Sequence, residues 1–150
     1  MDIQELSQKI RKATPFIDHL DIEITRGAED EFTELRMPIR PEFTQHLGYA
    51  HGGIIGTLAD VAANLACKKP TVTLEYKISF LSAADGESLV ARSKPIREGR
   101  SFIVVSCEVF SVKQGVEKKV AVSIATVVPS QPPSSENKSE NNSQQKQQQQ

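Results

Sequence analysis

The residues best suited to chemistry lie within sixteen positions, between Gln45 and Asp60. His51, Gly52 and Gly53 stand between them and precede a predicted helix. Two adjacent glycines at a helix start allow a ligand to approach the backbone closely. The first N–H groups of a helix have no partners inside it and carry the positive end of its dipole. Such a helix start can hold a carbonyl oxygen and stabilise it as negative charge develops, which acyl transfer requires.

Asp60 is the second chemical signal, because the segment from Ile54 to Cys67 contains no other charged residue. Helical periodicity places Asp60 near Gly56 and Ala63, away from the larger apolar side chains. Small neighbours leave room for a substrate, and partial burial strengthens a carboxylate as a base or nucleophile. This predicts a catalytic carboxylate on the helix.

Taken one at a time, these residues have simpler interpretations. An isolated Asp on a helix is usually a solvated surface residue. A single His more often stabilises a turn or lies hydrogen-bonded in a core, and a Gly-Gly pair is usually a loop. The combination at this spacing favours a functional site.

Hydrophobic periodicity predicts the elements that position these residues. Residues 2–13 fit an amphipathic helix with Asp2 as its N-cap, and the segment from Gly52 to Cys67 fits a helix buried on all sides that ends before Pro70. In one segment, five apolar residues from Val72 to Phe80 alternate with polar ones, which predicts a strand. Strands are predicted at 22–24, 33–39, 72–80, 88–96, 101–112 and 118–128, with Gly115 as a hairpin turn. The order of helix, two strands, buried helix and four strands predicts an α+β fold, with antiparallel strands around one central helix.

Composition limits the other possibilities. The chain has 150 residues and a formal net charge of −1, which suits one domain and argues against a nucleic-acid-binding surface. Residues 129–150 contain no Val, Ile, Leu, Met or aromatic residue, so we expect a folded domain over 1–128 and a disordered tail over 129–150. Cys67 and Cys107 are expected to be buried free thiols. With no transit or signal pattern at the N-terminus and no apolar run that could span a bilayer, we expect a cytoplasmic protein.

Around these residues the sequence resembles the hotdog-fold acyl-CoA thioesterases of the phenylacetate-degradation (PaaI-like) type. The resemblance depends on Gln45, on His51-Gly52-Gly53 six residues later, and on Asp60 nine residues after the His. It continues through 72–81 and through Glu98-Gly99-Arg100, and covers roughly 15–128.

The resemblance implies a role for each catalytic candidate. Asp60 would attack the thioester carbonyl or activate a water, and the Gly53 N–H would hold the oxyanion. Gln45 would contact the thioester or the attacking water, and Thr73 would orient the carboxylate or its water. His51 would shape the turn and contact the thioester. The family builds its site across a dimer interface, so Asp60 and Gln45 would face each other from different subunits of a homodimer that assembles into a homotetramer.

Two features depart from the family pattern. Gln at position 45 belongs to a branch whose helix carboxylate is usually Glu, whereas here it accompanies Asp60. The connection Lys68-Lys69-Pro70 is also shorter than usual. Candidate substrate-binding residues are Gly52 at the helix start and, for the CoA phosphates, Lys68, Lys69, Arg97, Gly99 and Arg100, although solvated surface charge explains the cations equally well.

The predicted function is hydrolysis of a fatty or aromatic acyl-CoA to free acid and CoA. The expected chemistry needs no metal or cofactor, since a carboxylate and a backbone oxyanion hole suffice. Two alternatives remain open at this point. One is a non-catalytic module that binds acyl-CoA or acyl-carrier protein, and the other is a hydratase or dehydratase on the same fold.

Overall fold

The computed structural model of the protein describes residues 1–130. It contains both predicted helices and all six predicted strands, and it adds two short helical segments. The helices are α1 (Ile3–Ala13), α2 (Pro15–His19) and α3 (Gly52–Leu65), with a 3-10 turn at Pro41–Phe43; the strands are β1 (Glu23–Arg26), β2 (Thr33–Pro38), β3 (Thr71–Phe80), β4 (Ser88–Glu98), β5 (Ile103–Lys113) and β6 (Val116–Pro129).

The six strands form one antiparallel sheet in the order β1-β2-β4-β5-β6-β3. β3 departs from chain order and lies at the far edge, where β6 is its one partner strand among residues 1–130. α3 packs against one face of the sheet and contacts β2, β3, β4, β5 and β6. The predicted α+β arrangement, with an antiparallel sheet around a central helix, is confirmed.

The side of α3 that faces the sheet is built largely from small residues. Leu58, Ala59, Ala62 and Ala63 are fully or almost fully buried, and the Ser93 hydroxyl donates to the Ala62 carbonyl at 2.6 Å. The small side chains of the three alanines let the sheet approach the helix closely. The prediction that α3 is buried on all sides is wrong for the single chain. Its outer face is exposed or half-buried at Gly53, Thr57, Asp60, Val61 and Asn64.

α1 covers the edge of the sheet formed by β1, opposite to the β3 edge. Asp2 caps its first turn as predicted, because the carboxylate accepts from the N–H groups of Gln4 and Glu5 at 2.7 and 3.1 Å. The Ser7 hydroxyl accepts from the backbone N–H of Ile24 on β1 at 3.0 Å. That bond satisfies a donor on an edge strand which would otherwise be open to pairing with another chain. The N-terminal helix therefore closes one edge of the sheet, and in the part of the chain that the structure describes no further strand pairs with the β3 edge.

A β-bulge in β3 changes which side chains face α3. The register with β6 shifts between Thr73 and Glu75. Before the bulge Thr71 and Thr73 point to the helix, and after it Tyr76, Ile78 and Phe80 do. The apolar alternation seen in the sequence therefore does not form one face. Leu74, the extra residue at the bulge, is 68% exposed.

Local turns explain the remaining differences from the prediction. α2 has only five residues, too few for periodicity to show, and begins with Pro15 in the first turn, where proline is favoured. The β5–β6 hairpin turns at Gln114-Gly115, both at positive φ, which confirms the predicted turn. β6 extends to Pro129, and the Ser130 N–H donates to the Pro70 carbonyl at 3.0 Å. The predicted disordered tail otherwise falls on 131–150, outside the described residues, and stays a prediction.

The two cysteines are free and buried, as predicted. Burial raises the pKa of the Cys107 thiol to about 12, so it stays protonated and inert at neutral pH. No helix within residues 1–130 has the length and apolar character needed to cross a bilayer.

Candidate active site

His51 organises the start of α3. It is the N-cap residue, and its Nδ1 accepts from the backbone N–H of Gly53 at 2.8 Å. Its carbonyl accepts from the N–H groups of Ile54 and Ile55 at 3.0 and 3.1 Å. The predicted turn-shaping role of His51 thus has a structural basis. The Gly53 N–H, predicted to hold the oxyanion, is engaged by His51 here, so an oxyanion must share or displace that bond.

Gln45 lies beside the helix start in a tight turn. Its backbone N–H donates to the Tyr49 carbonyl at 2.8 Å, and its side-chain Oε1 accepts from the Leu47 N–H at 2.5 Å. The turn also includes Gly48 at a φ of 83°, a conformation that favours glycine. Gln45 and Gly52 line one pocket of about 350 Å³. Oε1 already accepts one hydrogen bond, whereas the side-chain amide N–H groups make none within residues 1–130 and can donate to a ligand.

α3 and β3 run side by side in opposite directions, and successive turns of the helix meet successive inward residues of the strand. The pairs are Gly52 with Phe80, Gly56 with Tyr76, Asp60 with Thr73 and Asn64 with Thr71. A Cβ atom at Gly52 would lie 3.2 Å from Cζ of Phe80, and one at Gly56 would lie 3.1 Å from the Tyr76 hydroxyl. Glycine at both positions therefore lets the aromatic rings pack against the helix backbone.

Asp60 is half-buried on the outer face of α3. The Thr73 hydroxyl donates to its Oδ1 at 2.5 Å, so the structure brings together the two residues that the sequence had paired only through family resemblance. Within residues 1–130, no donor contacts the second carboxylate oxygen, Oδ2, closely enough for a hydrogen bond. One oxygen is thus held by the protein, and the other is left for a ligand or water.

Asn64 is a residue that the sequence analysis missed. Its Nδ2 donates to Thr73 Oγ1 at 2.8 Å and to the Asp60 carbonyl at 3.0 Å, while its Oδ1 accepts from Thr71 Oγ1 at 2.8 Å. Asn64 stands four residues after Asp60, so helical spacing places it on the same face. That spacing was the available signal. The contacts with β3 were not predictable, because they depend on the bulge.

The predicted phosphate-binding residues divide into two groups. Lys68, Lys69, Gly99 and Arg100 border one pocket of about 350 Å³ beyond the end of α3. Lys68 also forms an ion pair with Glu29 at 3.2 Å. Arg97 instead lies over the Phe102 ring, 4.1 Å from its centroid, and donates to the Phe102 carbonyl. Within residues 1–130, no three His, Cys, Asp or Glu side chains converge where a metal could bind.

Within one chain the two halves of the candidate site are far apart. Gly53 and Asp60 are seven residues apart on α3, which corresponds to about 10 Å along the helix axis. Gln45 and Gly52 lie at the first end, while Thr73 and Asn64 lie with Asp60. A single carbonyl group cannot touch both ends, because reacting atoms must approach to about 3 Å.

Comparison with known proteins assigns the fold and the family. Residues 47–118 match the family model described as "Thioesterase superfamily". A protein of Saccharolobus solfataricus named "Putative esterase SSO2140" is 31% identical over 111 residues, which cover 71% of this chain and 76% of that protein. The chain belongs to the thioesterase superfamily.

Solved structures support the same assignment. A thioesterase family protein from Silicibacter pomeroyi superposes with a TM-score of 0.75 at 26% identity, over 85% of this chain and 97% of that one. A thioesterase from Haemophilus influenzae, EC 3.1.2.-, superposes with a TM-score of 0.68 at 26% identity, over 85% and 90% of the two chains. The Escherichia coli PaaI protein shares the fold, with a TM-score of 0.71 at 20% identity over 87% and 97%. The predicted hotdog fold is confirmed, and so, at the level of the family, is the prediction of a thioester hydrolase.

Proposed function

We propose that the protein is an acyl-CoA thioesterase that uses Asp60 to cleave the thioester of a fatty or aromatic acyl-CoA. The carboxylate either attacks the carbonyl carbon directly or removes a proton from a water that attacks it. Either way the carbon–sulfur bond breaks and one water is consumed. After direct attack, CoA leaves as a thiolate and a water hydrolyses the anhydride formed between Asp60 and the acyl group; after attack by water, the proton taken by Asp60 passes to the CoA sulfur. The products are the free acid and the CoA thiol. The proposal depends most on the setting of Asp60, where Thr73 holds one carboxylate oxygen and the other is left for the reaction.

The start of α3 would stabilise the negative charge that develops on the thioester oxygen. The Gly53 N–H would turn from His51 Nδ1 to the oxyanion, or donate to both. Exchanging a neutral acceptor for a charged one favours that change as charge builds up. Gln45, whose amide N–H groups are available as donors, would polarise the same carbonyl or hold the attacking water.

The complete site would contain residues of two chains. The separation of about 10 Å between Gly53 and Asp60 along α3 disappears if two antiparallel copies of α3 pack face to face, with Gly53 of one beside Asp60 of the other. β3 supports this arrangement, since it is an open edge strand with Leu74 and Phe80 68% and 53% exposed. An edge of this kind commonly pairs with a second copy of itself. We therefore propose a homodimer, and assembly of two dimers into a homotetramer.

The CoA portion would extend toward the far end of α3. Lys69 and Arg100 border the pocket there and would contact phosphate groups, with Lys68 contributing if its ion pair with Glu29 opens. The pocket beside Gln45 is lined by Ile55, Phe80 and Leu81 and would take an apolar acyl group. CoA would thus be a substrate component and not a resident cofactor.

The test is a thiol-release assay with a panel of short, long and aromatic acyl-CoAs. Asp60→Asn keeps the shape of the side chain but removes its charge and basicity, so kcat should fall by ~10²-fold or more with little change in KM. Glu5→Gln, an exposed carboxylate-to-amide change on α1, is the matched control and should retain full activity.

Two results would contradict the proposal. Folded, oligomeric Asp60→Asn protein with wild-type turnover would remove Asp60 from the chemistry. If the wild-type protein bound an acyl-CoA but released no thiol, it would be a binding module and not a thioesterase.

A further inference from the structure

Asp60 and three neighbouring side chains form a chain of hydrogen bonds that connects β3 to α3. The Thr71 hydroxyl donates to Asn64 Oδ1 at 2.8 Å, and Asn64 Nδ2 donates to Thr73 Oγ1 at 2.8 Å. The Thr73 hydroxyl then donates to Asp60 Oδ1 at 2.5 Å. All four side chains are half-buried between the helix and the strand.

The number of protons fixes the direction of this chain. The backbone carbonyl of Asp60 can only accept, and it receives one N–H of the Asn64 amide at 3.0 Å. The amide nitrogen must therefore point toward Asp60 and Thr73, and its second N–H occupies Thr73 Oγ1 as an acceptor. The amide oxygen then points away from Asp60 and accepts from the Thr71 hydroxyl. Thr73 has one proton, which is left for the Asp60 carboxylate.

We propose that Asn64 is a positioning residue that acts through Thr73. By donating to the Thr73 hydroxyl, it prevents that hydroxyl from turning away and aims its proton at Asp60 Oδ1. The carboxylate is thereby held in one rotamer with Oδ2 directed to the substrate, and Thr71 in turn holds the Asn64 amide. This inference rests on the proposed catalytic role of Asp60, and it assigns Asn64 and Thr71 to positioning and not to contact with substrate.

The expected effect is on turnover and not on binding. A hydroxyl free to rotate would point its proton at Asp60 for only part of the time, and misplacement of a reacting group slows the chemical step. Asn64→Leu removes the amide at similar size, and Thr73→Val removes the hydroxyl at similar shape. Each should lower kcat by ~5- to 10-fold and change KM by less than about 2-fold.

The double variant Asn64→Leu/Thr73→Val distinguishes positioning from a separate contribution. If Asn64 acts through Thr73, either substitution alone already removes the oriented hydrogen bond from Thr73 to Asp60. The kcat of the double variant should then be no more than about 2-fold below that of the less active single variant. Independent effects would multiply to ~25- to 100-fold. A multiplicative loss, or an unchanged kcat in Asn64→Leu, would overturn the proposal.

A second pair of variants protects the test if Asn64→Leu fails to fold. Thr71→Val should lower kcat by ~3-fold, and Thr71→Ser, which restores the hydroxyl, should return it to the wild-type value. A loss that serine does not restore would indicate packing and contradict the proposed chain.

Failure of the proposed function is separable from failure of this inference. Wild-type and Asp60→Asn activities decide whether the enzyme hydrolyses thioesters with Asp60. The side-chain NH₂ resonances of Asn64 in a ¹⁵N NMR spectrum decide independently whether the hydrogen bonds exist. They should shift in Thr73→Val and not in Glu5→Gln, and unshifted resonances in Thr73→Val would contradict the chain of bonds even in an active enzyme.

Discussion

Mixed dimers test whether each active site takes residues from two chains. One chain would contain Asp60→Asn and the other Gln45→Ala, with different affinity tags, and the two would be co-expressed. Gln45 lies at the start of α3 with Gly52, whereas Asp60 lies two turns further along, about 10 Å away. If the site is shared, one active site of each mixed dimer contains neither substitution and the other contains both.

The size of the recovery follows from counting sites. Random pairing makes half of the dimers mixed, and each mixed dimer has one intact site of two, so about one quarter of wild-type activity should return. The parent homodimers should retain ~1% or less for Asp60→Asn and ~1 to 10% for Gln45→Ala. Activity from about one quarter of the sites is therefore well resolved in a thiol-release assay.

Two-step affinity purification removes the assemblies that contain only one kind of chain. About half of the wild-type activity per site should then appear if the protein is a dimer, and about 30% if dimers pair at random into the proposed tetramer. Parent homodimers mixed after folding, without exchange of subunits, are the control and should stay at their low values. A purified mixed dimer no more active than its parents would refute the shared site, because each site would then lie within one damaged chain.

Three further predictions concern the fold. Gly86→Ala should lower the free energy of unfolding, measured by chemical denaturation, by more than about 2 kcal/mol. The added Cβ atom would lie 2.2 Å from the Val112 carbonyl oxygen. Gly27→Ala is the control and should be nearly neutral, because a Cβ atom there would lie 3.6 Å from its nearest neighbour. Burial raises the pKa of Glu34, but hydrogen bonds from Arg92 and Thr25 outweigh it and hold the pKa below its usual value. The ionised Glu34 carboxylate should thus stabilise the fold above about pH 4.5, and this stabilisation should be lost as the pH falls further. On acidification, Tm should therefore fall less in Glu34→Gln than in the wild-type protein. Deletion of 131–150 should leave Tm and turnover unchanged, since that segment has no aliphatic or aromatic side chain to pack.

Much of the molecule could be inferred from the sequence because the signals were local. Apolar periodicity and the Asp2 cap located α1, the run after Gly52 located α3, and Gly115 marked a hairpin turn. These features depend on side chains a few residues apart, whose relation is set by helix or turn geometry alone. The spacing from His51 to Asp60 likewise placed both residues on one helix, with His51 at its start.

Only the tertiary structure decided how these pieces meet. The bulge at Leu74 turns Thr73 toward Asp60 while Tyr76 still faces the same helix, and regular alternation would have placed them on opposite sides. It also brings Asn64 into contact with β3, and the order of the sheet leaves β3 as an open edge. A bulge leaves little trace in local composition, because the pairing of β3 with β6, more than 40 residues away in sequence, determines the register. The sequence by itself thus determined which residues could act, and the long-range pairing of β3 with β6 decided which of them touch.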